Sequence, residues 1–198
     1  DILMKGVMKR LSNLGFSLEL EEEAKNFIAE DEAFVVILAD EMLLKSKNRK
    51  QNFLSDMIDL YYTKEEKSSI VAVGEVEKKD TNKYGIIQAL DNQVITDMVE
   101  KPSPEVAPSN LAITGRYILQ PEIFKYLDNA KAGSGGEIQL TDAMKAMCRD
   151  NPFYYSKITD QRFDCGNVLG YLEANIAFAL DNEEIEGEVR GMLRKYKS

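Results

Sequence analysis

Residues 34–40 read Phe-Val-Val-Ile-Leu-Ala-Asp, an unbroken apolar run that ends on a carboxylate. The run has the length of a strand and is too short for a helix. Continuous apolar runs are typical of strands that are covered on both faces in a parallel sheet. Ligands of open α/β sheets bind at the carboxyl ends of such strands. We therefore predict a central parallel strand with Asp40 at the ligand-binding edge of the sheet.

Strand-like and helix-like segments alternate along the rest of the chain. Apolar or alternating patterns predict strands over residues 69–75, 112–119 and 153–158, and a hairpin over residues 84–101 that turns at Asp91-Asn92. Helical spacing predicts helices over residues 52–64, 137–148, 167–180 and 183–197, and one that opens at Pro121. This alternation predicts an α/β fold with a mixed, mostly parallel sheet flanked by helices.

The first 32 residues carry a different pattern. Residues 2–14 have helical spacing, residues 16–20 alternate as a short strand does, and residues 21–30 resume a helical pattern. We therefore divide the chain into an atypical helix–strand–helix segment, residues 1–32, and an α/β domain, residues 33–198.

The composition argues against several classes of protein. The 198 residues carry 25 Lys and Arg against 34 Asp and Glu, a formal net charge of −9. We expect no nucleic acid partner, because a phosphate backbone attracts a basic face. No apolar run reaches the roughly 18 residues of a membrane span, so we expect no membrane segment, and we expect no cleaved secretory signal.

The chain contains no histidine. This excludes Ser-His-Asp and Cys-His triads as well as the common zinc sites. Catalysis would depend on carboxylates, Lys, Arg, hydroxyls or a hard cation held by oxygen ligands. The two cysteines, Cys148 and Cys165, predict reduced thiols and a cytoplasmic protein rather than a disulfide scaffold.

Asp40 and Asp164 form the first candidate pair, because each follows a strand-like apolar segment. Two carboxylates that converge on one point suit a hard divalent cation such as Mg²⁺, which takes oxygen ligands and keeps several waters. The alternative is that each caps a helix or closes a turn, which is a common use of aspartate at such positions.

The segment 99–117 holds a carboxylate, an ammonium and a polar turn close together: Glu100-Lys101 before Pro102, and then Ser109-Asn110. Carboxylates accept hydrogen bonds from sugar hydroxyls, and Lys neutralises phosphate as a point charge. Successive strand residues face opposite ways, so both side chains reach one ligand only if the chain bends, which Pro102 favours. The alternative is a surface ion pair at a strand end.

Glycines mark two further candidate positions, Gly85 after Tyr84 and Gly115 before Arg116. Glycine in a strand marks either a close approach of a ligand to the backbone or a β-bulge. A glycine-rich stretch, residues 133–136, precedes the helix predicted to begin at Glu137, and could cradle an anion. Because Glu137 would repel an anion there, we favour a hinge or lid for this loop.

Five stretches carry a resemblance to a known family: FVVILADEML, YGII, MVEKPSPEVAPSNLAITGRY, GGEIQLTDAM and FDCGNVLGYLEA. From about residue 33 onward the chain resembles the bacterial UTP–glucose-1-phosphate uridylyltransferases of the sugar-nucleotidyltransferase superfamily. The resemblance implies a Rossmann-like nucleotide-diphospho-sugar transferase fold. It also implies that glucose 1-phosphate attacks the α-phosphate of UTP, so that pyrophosphate leaves and UDP-glucose forms.

The resemblance also implies roles for individual residues. Asp40 and Asp164 would hold Mg²⁺, Glu100 would bind sugar hydroxyls, and Lys101 would bind the sugar phosphate. The sugar pocket would be lined by Gly85, Asn110 and Gly115. Asp40, Lys101 and Asp164 would thus be the catalytic residues, in chemistry that depends on positioning and charge neutralisation.

The sequence departs from the family in ways that open a second hypothesis. It lacks the family's G-x-G-T-R nucleotide loop, so the domain is expected to be incomplete at its N-terminal end. Ala39 replaces a Pro, Glu41 replaces an Asp, and Val168 replaces a Lys. The alternative function is therefore a non-catalytic sugar-phosphate or UDP-sugar binding fragment or assembly module. An exposed sheet edge would then favour a homo-oligomer.

Overall fold

The computed structural model describes residues 33–64, 67–130 and 138–196. The predictions for residues 1–32 and for the glycine-rich loop lie outside these residues. The described strands are β1 (Phe34–Ile37), β2 (Glu41–Leu44), β3 (Ser69–Glu75), β4 (Gly85–Ala89), β5 (Ile95–Glu100), β6 (Leu111–Leu119), β7 (Phe153–Lys157) and β8 (Gln161–Asp164). The described α-helices are α1 (Phe53–Tyr62), α2 (Ile123–Asp128), α3 (Leu140–Met147), α4 (Val168–Asp181) and α5 (Glu186–Arg194), and a 3-10 helix spans Lys78–Lys83.

Most predicted elements are confirmed within these ranges, with ends that move by no more than three residues. Strands β2 and β8 were not predicted, because four-residue strands leave little periodicity to detect. Among the described helices, none is both long enough and apolar enough to cross a membrane.

The large sheet has the order β5-β4-β6-β3-β7, with β1 beside the other end of β6. Strands β2 and β8 form a separate two-stranded sheet. The mixed α/β class is confirmed. One part of the expectation is corrected: β3–β7 is the only parallel pair among the described strands of this sheet. The reason is that β6 runs antiparallel between strands that share one direction, and side-chain patterns carry no information on direction.

Strand β1 also differs from the prediction of a strand covered on both faces. It pairs antiparallel with β6, from Phe34 opposite Leu119 to Ile37 opposite Arg116. Its side chains alternate: Phe34 is buried, whereas Val35 and Ile37 are 43% and 52% exposed. An apolar run therefore identifies the strand correctly, but the neighbouring elements decide whether each face is covered.

Alternate side chains of β3 enter two cores on opposite faces of the sheet, as the period of two requires. Val71 and Val73 join the larger core, and Ile70 and Ala72 join the smaller one. Buried side chains of α2 and α3 complete the larger core: Ile123, Leu127, Ala143, Met144 and Met147. Helices thus cover both faces of the strand from which the sheet is built.

Helix α1 covers the smaller core. It begins after Asn52, whose side chain accepts a hydrogen bond from the N–H of Ser55 at 2.9 Å and so caps the first turn. Phe53 and Met57, four residues apart, lie on one face of this helix and are buried against the sheet.

Replacement of Met57, which is fully buried, by Ala should lower the free energy of unfolding by about 2–5 kcal/mol, because it leaves a cavity in the smaller core. Met192→Ala is the matched control, since Met192 is 49% exposed and should cost no more than about 0.5 kcal/mol. Urea unfolding measures both values. Equal losses in the two variants would contradict the placement of Met57.

Candidate active site

Asp40 and Asp164 converge where the β2–β8 sheet leaves the large sheet. Glu41 lies opposite Asp164 in the antiparallel register, so Asp40 and Asp164 stand at the same end of the pair. The N–H of Cys165 donates to the carbonyl of Asp40 at 2.8 Å. A Cβ atom built on Gly166 would lie 3.1 Å from Asp164 Oδ1 and 3.8 Å from Asp40 Oδ2. The two carboxylates therefore border one small volume beside Gly166.

This donor set fits a hard divalent cation. Both aspartates are exposed, and their oxygens are the ligand type that such cations prefer. In the described part of the chain no three Asp, Glu, His or Cys side chains form a metal-binding group. A cation held by these two carboxylates would thus complete its shell with water or phosphate oxygens. Asp164 also closes a turn, since its Oδ1 accepts the N–H of Gly166 at 3.0 Å.

Glu41, next to Asp40, is held on three sides. Its Oε1 lies 2.7 Å from Arg162 Nε, and its Oε2 accepts the N–H of Gly115 at 3.0 Å. Its carbonyl accepts a hydrogen bond from Arg116 Nη2 at 3.2 Å. The Glu41 side chain is 9% exposed and that of Arg162 is 21% exposed, so the pair is shielded from solvent. These contacts tie the β2–β8 sheet to β6.

Glu100 and Lys101 lie at the end of β5, where the chain bends. Lys101 has φ 46°, in the left-handed region that residues other than glycine adopt at a cost of about 1–2 kcal/mol. The predicted bend before Pro102 is confirmed. The Lys101 side chain is 56% exposed, and its Nζ lies 3.6 Å from Glu100 Oε1. The alternative of an ion pair at a strand end is therefore also present, in a loose form that leaves the ammonium free to meet an anion.

Gly85 pairs with Glu100 in the β4–β5 register. A Cβ atom at Gly85 would lie 3.2 Å from Glu100 Oε2 and 2.9 Å from Thr141 Oγ1. The β4–β5 register shift lies between Gln88 and Ala89, so a bulge does not explain this glycine. Gly85 instead allows a carboxylate and a hydroxyl to lie close to the strand, which together can bind an alcohol group.

Arg162 connects the two groups of residues. Its guanidinium carbon lies 5.1 Å from the ring centroid of Tyr84, the residue before β4. The carbonyl of Tyr84 accepts the N–H of Lys101 at 2.9 Å. Arg162 thus contacts both Glu41, which follows Asp40, and Tyr84, which precedes Gly85.

Buried groups beneath the site reflect its charge. Burial raises the pKa of the Tyr117 phenol, and the carboxylates of Glu41, Glu100 and Asp40 raise it further. The pKa of Tyr117 is therefore influenced by carboxylates from both groups of residues. Burial lowers the pKa of Arg116, and the charge of Arg162 lowers it further, while Glu41 opposes the shift.

Gly115 and Asn110 occupy different surroundings. The β3–β6 register shifts between Val71 and Val73, opposite the part of β6 that contains Gly115, so this glycine lies where the strand pairing is irregular. A Cβ atom at Gly115 would lie 2.7 Å from Leu38 Cβ, so its immediate neighbour is a protein side chain. Asn110 is exposed at the start of β6, and its carbonyl accepts the N–H of Val76 at 3.1 Å. Their sugar-binding roles stay predictions.

Sequence reasoning missed Glu41, Arg162 and Thr141 as members of this site. Arg162 lies two residues before Asp164, a spacing that puts both side chains on one face of β8. This spacing is the one local signal that could have identified Arg162. The partners Glu41 and Thr141 are far away in sequence and become apparent only in the folded chain.

The sequence model of the nucleotidyl transferase family matches residues 22–180. The chain therefore belongs to the nucleotidyl transferase family. The match begins ten residues before the boundary proposed at residue 32, so that boundary stays a prediction.

Relatives of known function share this family. A UTP–glucose-1-phosphate uridylyltransferase of Pseudomonas aeruginosa is 41% identical over 182 residues, which cover 85% of this chain and 64% of the relative. A UTP–glucose-1-phosphate uridylyltransferase 2 of Staphylococcus saprophyticus is 38% identical, with 88% of this chain and 59% of the relative covered. The chain thus spans less than two thirds of the length of these relatives.

Solved structures give the same result. A UDP-glucose pyrophosphorylase complexed with UDP-glucose superposes with a TM-score of 0.70 at 39% identity, covering 80% of this chain and 60% of that one. A UTP-bound UGPase from Acinetobacter baumannii superposes with a TM-score of 0.75 at 29% identity, covering 88% and 60%. The predicted resemblance to the uridylyltransferases is confirmed.

Replacement of Gly115 by Ala should lower the free energy of unfolding by about 1–3 kcal/mol, because its Cβ would clash with Leu38. Gly191→Ala is the control, since a Cβ there meets nothing within 4 Å and should stabilise the helix by up to about 1 kcal/mol. In a Leu38→Gly background, which removes the Leu38 Cβ that lies 2.7 Å away, the Gly115 penalty should shrink. An unchanged penalty in that background would contradict the proposed clash.

Proposed function

We propose that this chain forms the sugar-phosphate and metal-binding part of a site that transfers a uridylyl group from UTP to glucose 1-phosphate. The products would be UDP-glucose and pyrophosphate. The observation that carries the proposal is the pairing of Asp40 with Asp164 beside a second group, Glu100 and Lys101, to which Arg162 connects it. Named relatives with this reaction, at 38–45% identity, support the choice of substrates.

Each side chain has a role in this proposal. Lys101 neutralises the phosphate of glucose 1-phosphate, because its ammonium is exposed and only loosely paired. Glu100 accepts hydrogen bonds from sugar hydroxyls, and Gly85, which has no side chain, lets Glu100 and Thr141 lie close to the strand. Asn110 and Gly115 complete the sugar pocket. An oxygen of the sugar phosphate then attacks the α-phosphate of UTP in line, and pyrophosphate leaves.

Asp40 and Asp164 would hold Mg²⁺, which suits two carboxylates with room for water. When bound, the cation supplies charge neutralisation and orientation at the phosphates. The carboxylates themselves fix its position relative to Lys101. No histidine is needed for this chemistry, which agrees with the composition of the chain.

A second candidate function is binding of glucose 1-phosphate or UDP-glucose without transfer. It is favoured by Val168, 87% exposed at the start of α4, where the family carries a Lys near the phosphates. Release of pyrophosphate from UTP and glucose 1-phosphate in the presence of Mg²⁺ distinguishes transfer from binding.

We further propose that the chain self-associates in the cytoplasm. Four apolar side chains at the start of α4 are more than half exposed: Val168, Leu169, Tyr171 and Leu172. Contiguous exposed apolar side chains are typical of protein–protein interfaces. Light scattering coupled to size exclusion measures the oligomeric state. The two free cysteines and the intracellular nature of the proposed substrates support the cytoplasm.

Calorimetric titration with UDP-glucose should give binding that requires Mg²⁺ and is lost in Asp164→Asn. The reason is that the amide removes one of the two anionic ligands. Asp181→Asn is the matched control, because Asp181 pairs with Lys47 at the surface, at 3.5 Å. Binding that is independent of Mg²⁺ and of Asp164 would refute the proposed metal site. No binding by the wild-type chain would refute the proposed function.

Replacement of Lys101 by Ala should weaken binding of glucose 1-phosphate about tenfold, because a charge-assisted contact to the phosphate is lost. Stability should change by no more than about 0.5 kcal/mol, since exposed ion pairs contribute little. Lys157→Ala is the control: Lys157 is 47% exposed, pairs with Glu75 at 2.8 Å, and should leave binding unchanged. Unfolding of Lys101→Ala would contradict a role limited to the ligand.

A further inference from the structure

We propose that the Glu41–Arg162 ion pair holds the metal-binding aspartates at a fixed position relative to the sugar-phosphate residues, with Arg162 as a positioning residue. The inference rests on the proposed function only in taking Asp40 and Asp164 as the cation site. Neither Glu41 nor Arg162 needs to touch the ligand in this account. Their effect is transmitted through backbone and packing contacts.

Glu41 fixes the side of the site that carries Asp40. One oxygen of its carboxylate lies 2.7 Å from Arg162 Nε in an ion pair, and the other accepts a hydrogen bond from the N–H of Gly115 at 3.0 Å. Its carbonyl accepts from Arg116 Nη2 at 3.2 Å. Because Glu41 follows Asp40 directly, these three contacts anchor the aspartate to β6 of the large sheet. A shift of the backbone at Asp40 would therefore disturb the Glu41 contacts.

Arg162 fixes the side of the site that carries Asp164. It lies two residues before Asp164 on β8, opposite Leu43 on β2. Its guanidinium carbon lies 5.1 Å from the Tyr84 ring centroid, and its Nη1 lies 3.6 Å from a Cβ built on Gly74. The guanidinium is thus enclosed by Glu41, the Tyr84 ring and β3. Through Arg162, the short β2–β8 sheet is therefore in contact with the large sheet.

The contact between Arg162 and Tyr84 also links the metal-binding aspartates to the sugar-phosphate residues. Tyr84 precedes Gly85, and its carbonyl accepts the N–H of Lys101 at 2.9 Å. A continuous path of contacts therefore runs from Asp164 through Arg162 and Tyr84 to Lys101. Buried ion pairs are seldom a large net source of stability compared with apolar side chains, but they can specify one arrangement of the elements that carry them. This is the use we infer here.

Positioning and simple electrostatics predict opposite effects on cation binding. If Arg162 acted only through its charge, its removal would leave Glu41 unneutralised and would make the site bind a cation more tightly. If Arg162 acts as a positioning residue, its removal lets the two aspartates move apart and weakens binding. Replacement by Lys keeps the charge and removes the planar guanidinium, so it isolates the geometric effect.

The test uses Mn²⁺ as the probe, because it prefers the same oxygen ligands as Mg²⁺ and its free concentration can be read by electron paramagnetic resonance. Binding is measured on the whole chain without nucleotide or sugar, at a temperature where each variant is folded. The Mn²⁺ binding that is present in the wild-type chain and lost in Asp164→Asn is assigned to the site. Arg190→Met and Arg190→Lys are the matched controls, since Arg190 pairs with Glu186 on the exposed face of α5.

We expect Arg162→Met to weaken Asp164-dependent Mn²⁺ binding about tenfold and Arg162→Lys about threefold, because both lose the fixed guanidinium geometry. The Arg190 variants should leave it unchanged. Unchanged or tighter binding in Arg162→Met, or unchanged binding in Arg162→Lys, would overturn the inference. If Arg162→Met does not fold, Arg162→Lys decides alone.

The outcomes separate this inference from the proposed function. Asp164-dependent Mn²⁺ binding in a chain that does not bind UDP-glucose refutes the function, and the Arg162 variants still decide the inference. Mn²⁺ binding that does not depend on Asp164 overturns the inference, because there is then no site to position. A change in thermal unfolding without a change in Mn²⁺ affinity would assign Arg162 a structural role and would likewise overturn it.

Discussion

The pairing of β6 with three other strands is the constraint on which the rest of the structure depends. One edge of β6 pairs with β1 and with β4, and the other edge pairs with β3. These pairings position the candidate site, because β1 leads to Asp40 and β4 begins at Gly85. The irregularity within β6 also presents the N–H of Gly115 to Glu41. A change in the register of β6 would therefore move both groups of site residues at once.

The distribution of charge around this strand explains which carboxylates remain available to a cation. The Glu41 side chain is 9% exposed and is paired with Arg162, so its charge is largely compensated within the protein. Asp40 and Asp164 are exposed and both lie close to Gly166. Like charges held close together repel each other, and a bound cation removes that repulsion. Among the described residues of the site, Asp40 and Asp164 are thus the exposed carboxylates without an ion-pair partner, whereas Glu100 lies near Lys101.

Local features of the site could be predicted from the sequence, and long-range contacts could not. The bend at Lys101 followed from Pro102, and the hairpin of β4 and β5 followed from a clear turn signal. The register that pairs Gly85 with Glu100 did not follow, because a two-residue turn at Asp91-Asn92 would have placed Gly85 opposite Met98. The Glu41–Arg162 pair joins residues more than a hundred positions apart, and no periodicity encodes such a contact. The coverage of β1 was misjudged for a related reason: the apolar run specifies a strand, but distant elements decide which of its faces is buried.

The start of α4 shows why phosphate binding here should depend on a cation rather than on the helix. Helix N-termini bind phosphate when their N–H groups are free to point at it. Here the Asn167 side chain already accepts the N–H of Gly170 at 2.8 Å, and the exposed residue that follows it, Val168, brings no charge. Asp40 and Asp164 next to this turn add negative charge, which repels a phosphate unless a cation lies between them. Lys101, on the other side of the site, can neutralise one phosphate at most. In the proposed site, a cation held by the two aspartates would supply positive charge for a second phosphate.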